Sequence, residues 1–180
     1  AIENYGTHRV SISTRSDEAT YLWWDNNTKT MYYGSTADII YLNESAYKMF
    51  QGMNNVTEID THFDTSKVES FEQMFNNDYN LAILDVSHFN TSNVTDMYDM
   101  FAMCKKLEIV NLSSFDTRKV KNITMMFDGC EKLEEIDISS FDNSSCIGYT
   151  EAFQNNKKLK TIYASDLWSY EVVRAAVAGS

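Results

Sequence analysis

Proline is absent from all 180 residues and glycine occurs only 6 times. With neither residue clustered, no flexible or Pro-rich linker divides the chain, which reads as one continuous domain. The 3 cysteines, Cys104, Cys130 and Cys146, have neither metal-ligand spacing nor the even count of a disulfide framework, so they are expected to be small buried hydrophobes. Basic residues are scarce: 15 Lys and Arg face 26 Asp and Glu, a formal charge of −11. Such a surface repels phosphate backbones and anionic headgroups, which excludes nucleic acid and a bare membrane as partners. A run of about 18 apolar residues is also missing, so no segment is expected to span a bilayer as a helix. The chain opens AIENYG, without an initiator Met, a basic stretch or an apolar leader core, and so reads as a processed or excised piece. It holds no GxSxG, HExxH or phosphate-cradling glycine loop, and His8, His62 and His88 sit in unrelated contexts. A Cys-His nucleophile needs an orienting partner and an oxyanion site, neither of which the sequence supplies. Catalysis, a cofactor and a metal site are therefore not expected.

What the chain has in quantity is apolar and aromatic residues, 43% and 13%, enough to build a core. It also repeats itself. FNTSNVTDMYDMF at 89–101 returns as FDTRKVKNITMMF at 115–127, and Met-Phe pairs recur at Met49-Phe50, Met74-Phe75, Met100-Phe101 and Met126-Phe127, followed by Ala152-Phe153. The step between these phenylalanines is 25 residues once and 26 three times. A second pattern keeps time with the first: Leu81-x-x-Leu84-x-Val86, Leu107-x-x-Val110-x-Leu112, Leu133-x-x-Ile136-x-Ile138 and Leu159-x-x-Ile162-x-Ala164. A period in this range marks an array of stacked units.

Each unit divides in two. The leucine half alternates apolar and polar residues, the mark of a short half-buried strand, with Leu84/Val86, Val110/Leu112 and Ile136/Ile138 turned inward. The other half puts Val94, Met97 and Phe101 at i, i+3 and i+7, which predicts a short helix over about 92–103 capped by Ser92 or Asn93. The expected fold class is thus α/β: a leucine-rich-repeat-like solenoid of strand-plus-helix rungs, whose faces are buried only by stacking. The flanks read as caps. Residues 1–48 form a β-rich N-terminal cap, with a hairpin over TYLWWDNNTKTMYY, a strand at 38–42 and a helical turn from Glu44 to Phe50. Residues 49–166 form the array of about four units, and 167–180 a terminal helix with Leu167, Val172, Ala175 and Ala176 as its apolar members.

The stretch LDVSHFNTSNVTDMYDMFAMCKKLEIVNLSSFDTRKVKNITMMFDGCEKL resembles the BspA-like leucine-rich repeats of bacterial surface proteins, whose unit runs LxxLDLSxFDTSxVTxMxxMFxxC. The likeness covers about residues 49–166. It implies an extracellular or surface-anchored protein of a class credited with adhesion, and no enzymatic activity. The match is imperfect at both ends: one residue is missing between Asp60 and Phe63, and the fourth unit, FDNSSCIGYTEAF, loses Thr-Ser and puts Tyr149 and Ala152 where the helical Met pair stood.

In such strands the residues between the inward ones face out along a concave surface, in columns about 4.7–4.9 Å apart. One column is Asp60, Asp85, Asn111, Asp137 and Tyr163; beside it run Ser87, Ser113 and Ser139, and Ile83, Ile109 and Glu135. These are the candidate ligand-binding residues, for a protein or a glycan. Short polar residues that merely hydrogen-bond along the ladder would look the same. A column does not converge the way calcium ligands must. Trp23, Trp24, Tyr32 and Tyr33 form a second candidate, an aromatic platform for sugar, since alternation turns one of each pair outward. The functional expectation is a non-catalytic adhesion or ligand-binding module; its rival is a structural stalk that projects other domains and has no ligand of its own. Exposed Ile83 and Ile109 on adjacent rungs favour binding.

Overall fold

A computed structural model describes residues 8–10, 20–25, 27, 30–34, 40–168 and 174. Three antiparallel strands open the chain: β1 (His8–Val10), β2 (Thr20–Asp25) and β3 (Thr30–Gly34). β2 and β3 pair from Tyr21↔Gly34 to Asp25↔Thr30. β3 then pairs in parallel with β4 (Glu58–Ile59), through Thr30↔Glu58 and Met31↔Ile59, so the sheet runs β1-β2-β3-β4 into the repeats.

From β4 onward each unit lies beside its own copy. Single parallel bridges join Glu58 to Ile83 and Ile83 to Ile109, and the strands β5 (Glu135–Ile138) and β6 (Thr161–Ala164) pair in register from Glu135↔Thr161 to Ile138↔Ala164. Through β5 most side chains follow the two-residue alternation of the sequence: Leu84, Val86, Leu112, Ile136 and Ile138 are buried, while Ile83, Asp85, Ile109, Asn111, Glu135 and Asp137 are exposed; Val110 is only half-buried, and at β6 the alternation lapses, with Ile162 half-buried and Ala164 exposed.

The other half of the unit is not helical, and the leucine-rich-repeat-like α/β solenoid of strand-plus-helix rungs is not the fold of this chain. No residue from 40 to 168 is helical; residues 92–103 and their copies are tight turns. Two columns in this stretch take the left-handed conformation in every unit: Lys48, Gln73, Asp99, Met125 and Glu151, with φ of 54–58°, and Gly52, Asn77, Met103, Gly129 and Asn155, with φ of 59–77°. A right-handed helix cannot pass through such a residue. The backbone donors explain the choice. Met97, Asp99, Phe101 and Met103 give their N–H groups to the carbonyls of Asn122, Thr124, Met126 and Asp128 one unit along, at 2.7–3.0 Å, instead of to residues four back. The same alternate-residue ladder joins Phe71, Gln73, Phe75 and Asn77 to Asp96, Tyr98, Met100 and Ala102. Turns of the i to i+3 type, such as Met100 N–H to Met97 O, close the rung between ladder bonds. The i, i+3, i+7 spacing of Val94, Met97 and Phe101 therefore comes from successive turns that point apolar side chains the same way.

The flanks change with it. Glu44 to Phe50 is a turn with left-handed Lys48, and of the expected strand at 38–42 the described part, from Ile40, makes one bridge, Tyr41↔Asp64. The helical cap predicted over 167–180 falls outside the described residues except for Leu167, Trp168 and Arg174.

Inside the stack the repeated phenylalanines become a column of rings. Phe50, Phe75, Phe101, Phe127 and Phe153 stack with centroids 5.0–5.8 Å apart and planes within 17°. Each such contact adds about 0.5–1.5 kcal/mol beyond the area it buries. The DTS motif acquires a role in the same way. Buried Thr65, Thr91 and Thr117 each donate a hydroxyl to the carbonyl of Asn90, Asp116 or Asp142 one unit on, at 3.0–3.1 Å, and accept the N–H of that same residue at 2.7–2.8 Å. The preceding Asp or Asn accepts the N–H two residues ahead, as Asn90 does from Ser92, and folds the turn that presents the threonine.

Candidate functional site

The exposed residues of the strand side gather on one face. Bridges and strand register align Glu58, Ile83 and Ile109, and Glu135 with Thr161; Asp60, Asp85, Asn111, Asp137 and Tyr163 lie two residues further along. Two half-open clefts sit on this face. A cleft of about 650 Å³ takes in Ile109, Glu135, Asp137 and Tyr163, with Lys132 and Lys158 on its wall. A smaller one of about 370 Å³ lies at the other end, between Glu58, Asp60, His62, Ile83 and Asp85. Ser113 and Ser139 are exposed and Ser87 is half-buried beside them.

The acidic column does more than face solvent. Asp85 Oδ1 accepts both the N–H of Ser87, at 2.9 Å, and its hydroxyl, at 2.7 Å. Asn111 accepts the Ser113 N–H at 3.1 Å, Asp137 the Ser139 N–H at 2.9 Å, and Asp60 the His62 N–H at 3.2 Å. Each caps the turn that follows its strand position. The hydrogen bonds from the Ser87 hydroxyl and N–H hold the Asp85 carboxyl below the usual carboxylate range, and those from Ser139 do the same for Asp137. Both carry negative charge on this face at neutral pH.

The apolar members have no such local duty. Ile83 is 63% exposed, Ile109 78% and Tyr163 50%. Ile83 and Ile109 leave the ladder on adjacent rungs, beside buried Leu84 and Leu112, and form an exposed apolar pair.

Sequence reasoning did not find the histidine pair. His62 and His88 stack with centroids 5.1 Å apart and planes within 8°. His62 Nδ1 lies 2.6 Å from Asp60 Oδ1, and His88 donates from Nε2 to the Thr61 carbonyl. The signal was available, because the two are 26 residues apart, one full period. Nor did it find Lys132 and Lys158, which occupy a single column by the same count. Among the described residues, no three His, Cys, Asp or Glu side chains are placed to hold a metal ion.

The aromatic candidates lie in the N-terminal strands. The register sets Trp23 opposite Tyr32, Trp24 opposite Met31 and Tyr33 opposite Leu22. The side chains of these residues are outside the described part of the structure.

Cys104 and Cys130 are buried, and each donates its thiol to a carbonyl 29 residues back, Phe75 and Phe101, at 3.1 Å. Burial pushes both thiols well above their ordinary range, which removes the thiolate that nucleophilic chemistry needs.

Comparison with known proteins adds one match. Residues 44–166 fit the family described as "Mycoplasma protein of unknown function, DUF285". No curated protein and no solved structure matches the chain. The matched span runs from the turn before the first Met-Phe pair to just past β6, which is the whole stack, and the chain belongs to the DUF285 family.

Proposed function

We propose that this chain is a non-catalytic protein-binding module of the BspA-like kind, displayed on or released from a bacterial cell, whose strand-side face takes a partner polypeptide. The observation that carries this reading is the exposure of Ile83, Ile109 and Tyr163 on one laddered face, beside buried Leu84, Leu112, Ile136 and Ile138. Aliphatic side chains on that face suit the side chains of another protein better than a sugar ring, which stacks on flat aromatic surfaces. The carboxylates of Asp85 and Asp137, within a chain of net charge −11, call for basic groups on the partner.

The test is a binding screen of immobilised host-matrix proteins and glycans, run with the wild type and with the double substitution Ile83→Ser, Ile109→Ser. A protein ligand should be lost by about tenfold or more in Kd, the effect of removing about 1.4 kcal/mol of apolar contact. Raised salt should weaken it further. Binding untouched by the double substitution, or confined to glycans, would overturn the assignment. Asp85→Ala is a poorer probe, because it also uncaps the turn at Ser87.

A stalk is the second reading, and a separate observation favours it. Asp60, Asp85, Asn111 and Asp137 each serve the fold of their own rung, so most of the face is accounted for with no ligand. A screen without any protein hit, together with mechanical unfolding at high force, would support the stalk.

A further inference from the structure

One core column of the stack reads Met53, Asp78, Cys104, Cys130 and Asn156. The two cysteines show what the position requires. Each thiol donates to a Phe carbonyl, Cys104 to that of Phe75 and Cys130 to that of Phe101. At the far end Asn156 donates from Nδ2 to the Phe153 carbonyl at 2.9 Å. What these three positions share is a side-chain donor to a Phe carbonyl.

Asp78 occupies the same place with 0% exposure. Its Oδ1 accepts the Met53 N–H at 2.6 Å, and its Oδ2 meets no donor among the described residues. An ionised carboxylate only accepts, so it would leave Oδ2 charged and unpaired in the core. A protonated one carries the single donor that the cysteine thiols carry. We propose that Asp78 is a proton-binding site, occupied at neutral pH, that closes the Gly52–Met53 turn onto the first full rung, and that release of the proton loosens this end of the stack. The idea is independent of any ligand on the strand-side face.

The surroundings agree. Burial pushes the Asp78 carboxyl up to about 8, against the opposing pull of the Met53 N–H. No charged side chain contributes to that shift. Asn76 and Asn77 on its own turn are uncharged, and the titratable group facing it from the next rung is the Cys104 thiol, which burial keeps protonated. The folded value lies above the unfolded one. The stabilising contribution is therefore complete below the unfolded value of about 3.9 and is lost as pH rises through the folded value. Between those limits folding takes up a proton, and each pH unit lowers the folding constant by up to about tenfold. Burial also raises Asp99 and Glu72, which act in the same direction, so the test is a difference between variants.

Equilibrium unfolding of the wild type, Asp78→Asn and Asp78→Cys between about pH 5 and 8 supplies it. Both variants keep a neutral side chain that accepts and donates, and each already occurs in this column. Their folding constants should fall less steeply with pH than that of the wild type, by up to about tenfold per unit. Equal slopes in all three would overturn the proposal. The ¹³C carboxyl shift of Asp78, followed in the wild type, decides the matter even where a variant does not fold: a midpoint far above the ordinary carboxylate range is expected, and a midpoint near 4 refutes the site.

Discussion

The two long sides of each rung obey the same period and are held in opposite ways. On the turn side, from Phe71 to Asn77 and again from Met97 to Met103, every second backbone N–H reaches the next unit, over a continuous column of phenylalanine rings. On the strand side, neighbouring units between Glu58 and Ile109 meet through one bridge each, and among the described residues two repeat units form a regular strand pair at β5 and β6. The difference teaches where sequence is constrained. Phe, Met and Thr recur where backbone and rings must register, while Ile83 and Ile109 give way to Glu135 and Thr161 where a side chain leaves the ladder for solvent.

Substitutions can break this contrast, beginning with the severest. Phe101→Ala removes the middle ring of the column, and chemical unfolding should show a loss of about 3–5 kcal/mol. Thr91→Val preserves shape but strands both the N–H and the carbonyl of Asp116; a loss of about 1–3 kcal/mol is expected from the urea midpoint. Gly129→Ala should cost about 1–2 kcal/mol, because φ is +70° and an added Cβ would sit 2.5 Å from Met103 Sδ. Pairing it with Met103→Ala in a double-mutant cycle should return the steric part and leave the backbone part. Ile83→Ser and Ile109→Ser should each change stability by no more than about 0.5 kcal/mol. A loss as large as that of Thr91→Val would mean that the strand side is packed rather than open. Far-UV circular dichroism sharpens the comparison from another direction: a strong helical signature from the stack would contradict the ladder on the turn side.

The strand half was legible at most positions, Val110 and Ala164 being exceptions. Alternation alone placed Leu84, Val86, Ile136 and Ile138 inside and Asp85 and Asp137 outside, because a strand's period of two is a local property of the backbone. The turn half was not. Val94, Met97 and Phe101 satisfy a helix and a succession of turns equally well, and the local hints were mixed: Gly52, Asn77, Asp99, Gly129 and Asn155 tolerate a left-handed backbone, whereas Lys48, Gln73, Met103, Met125 and Glu151 do not announce it. The candidate face was half legible. Its columns followed from the period, but the capping role of Asp85, Asn111 and Asp137 and the stacking of His62 on His88 depend on contacts between and within turns whose geometry the sequence does not spell out.

The sequence by itself determined the period, the inward residues and the rings that would have to meet, because these follow from which side chains leave water. The tertiary structure decided the path of the backbone between them. A helix would satisfy the N–H groups of 97–103 within one unit, whereas a ladder satisfies them only when the next unit is already alongside. Stacking supplies those partners together with the ring column and the threonine clamps, and that joint gain outweighs the left-handed residues it requires.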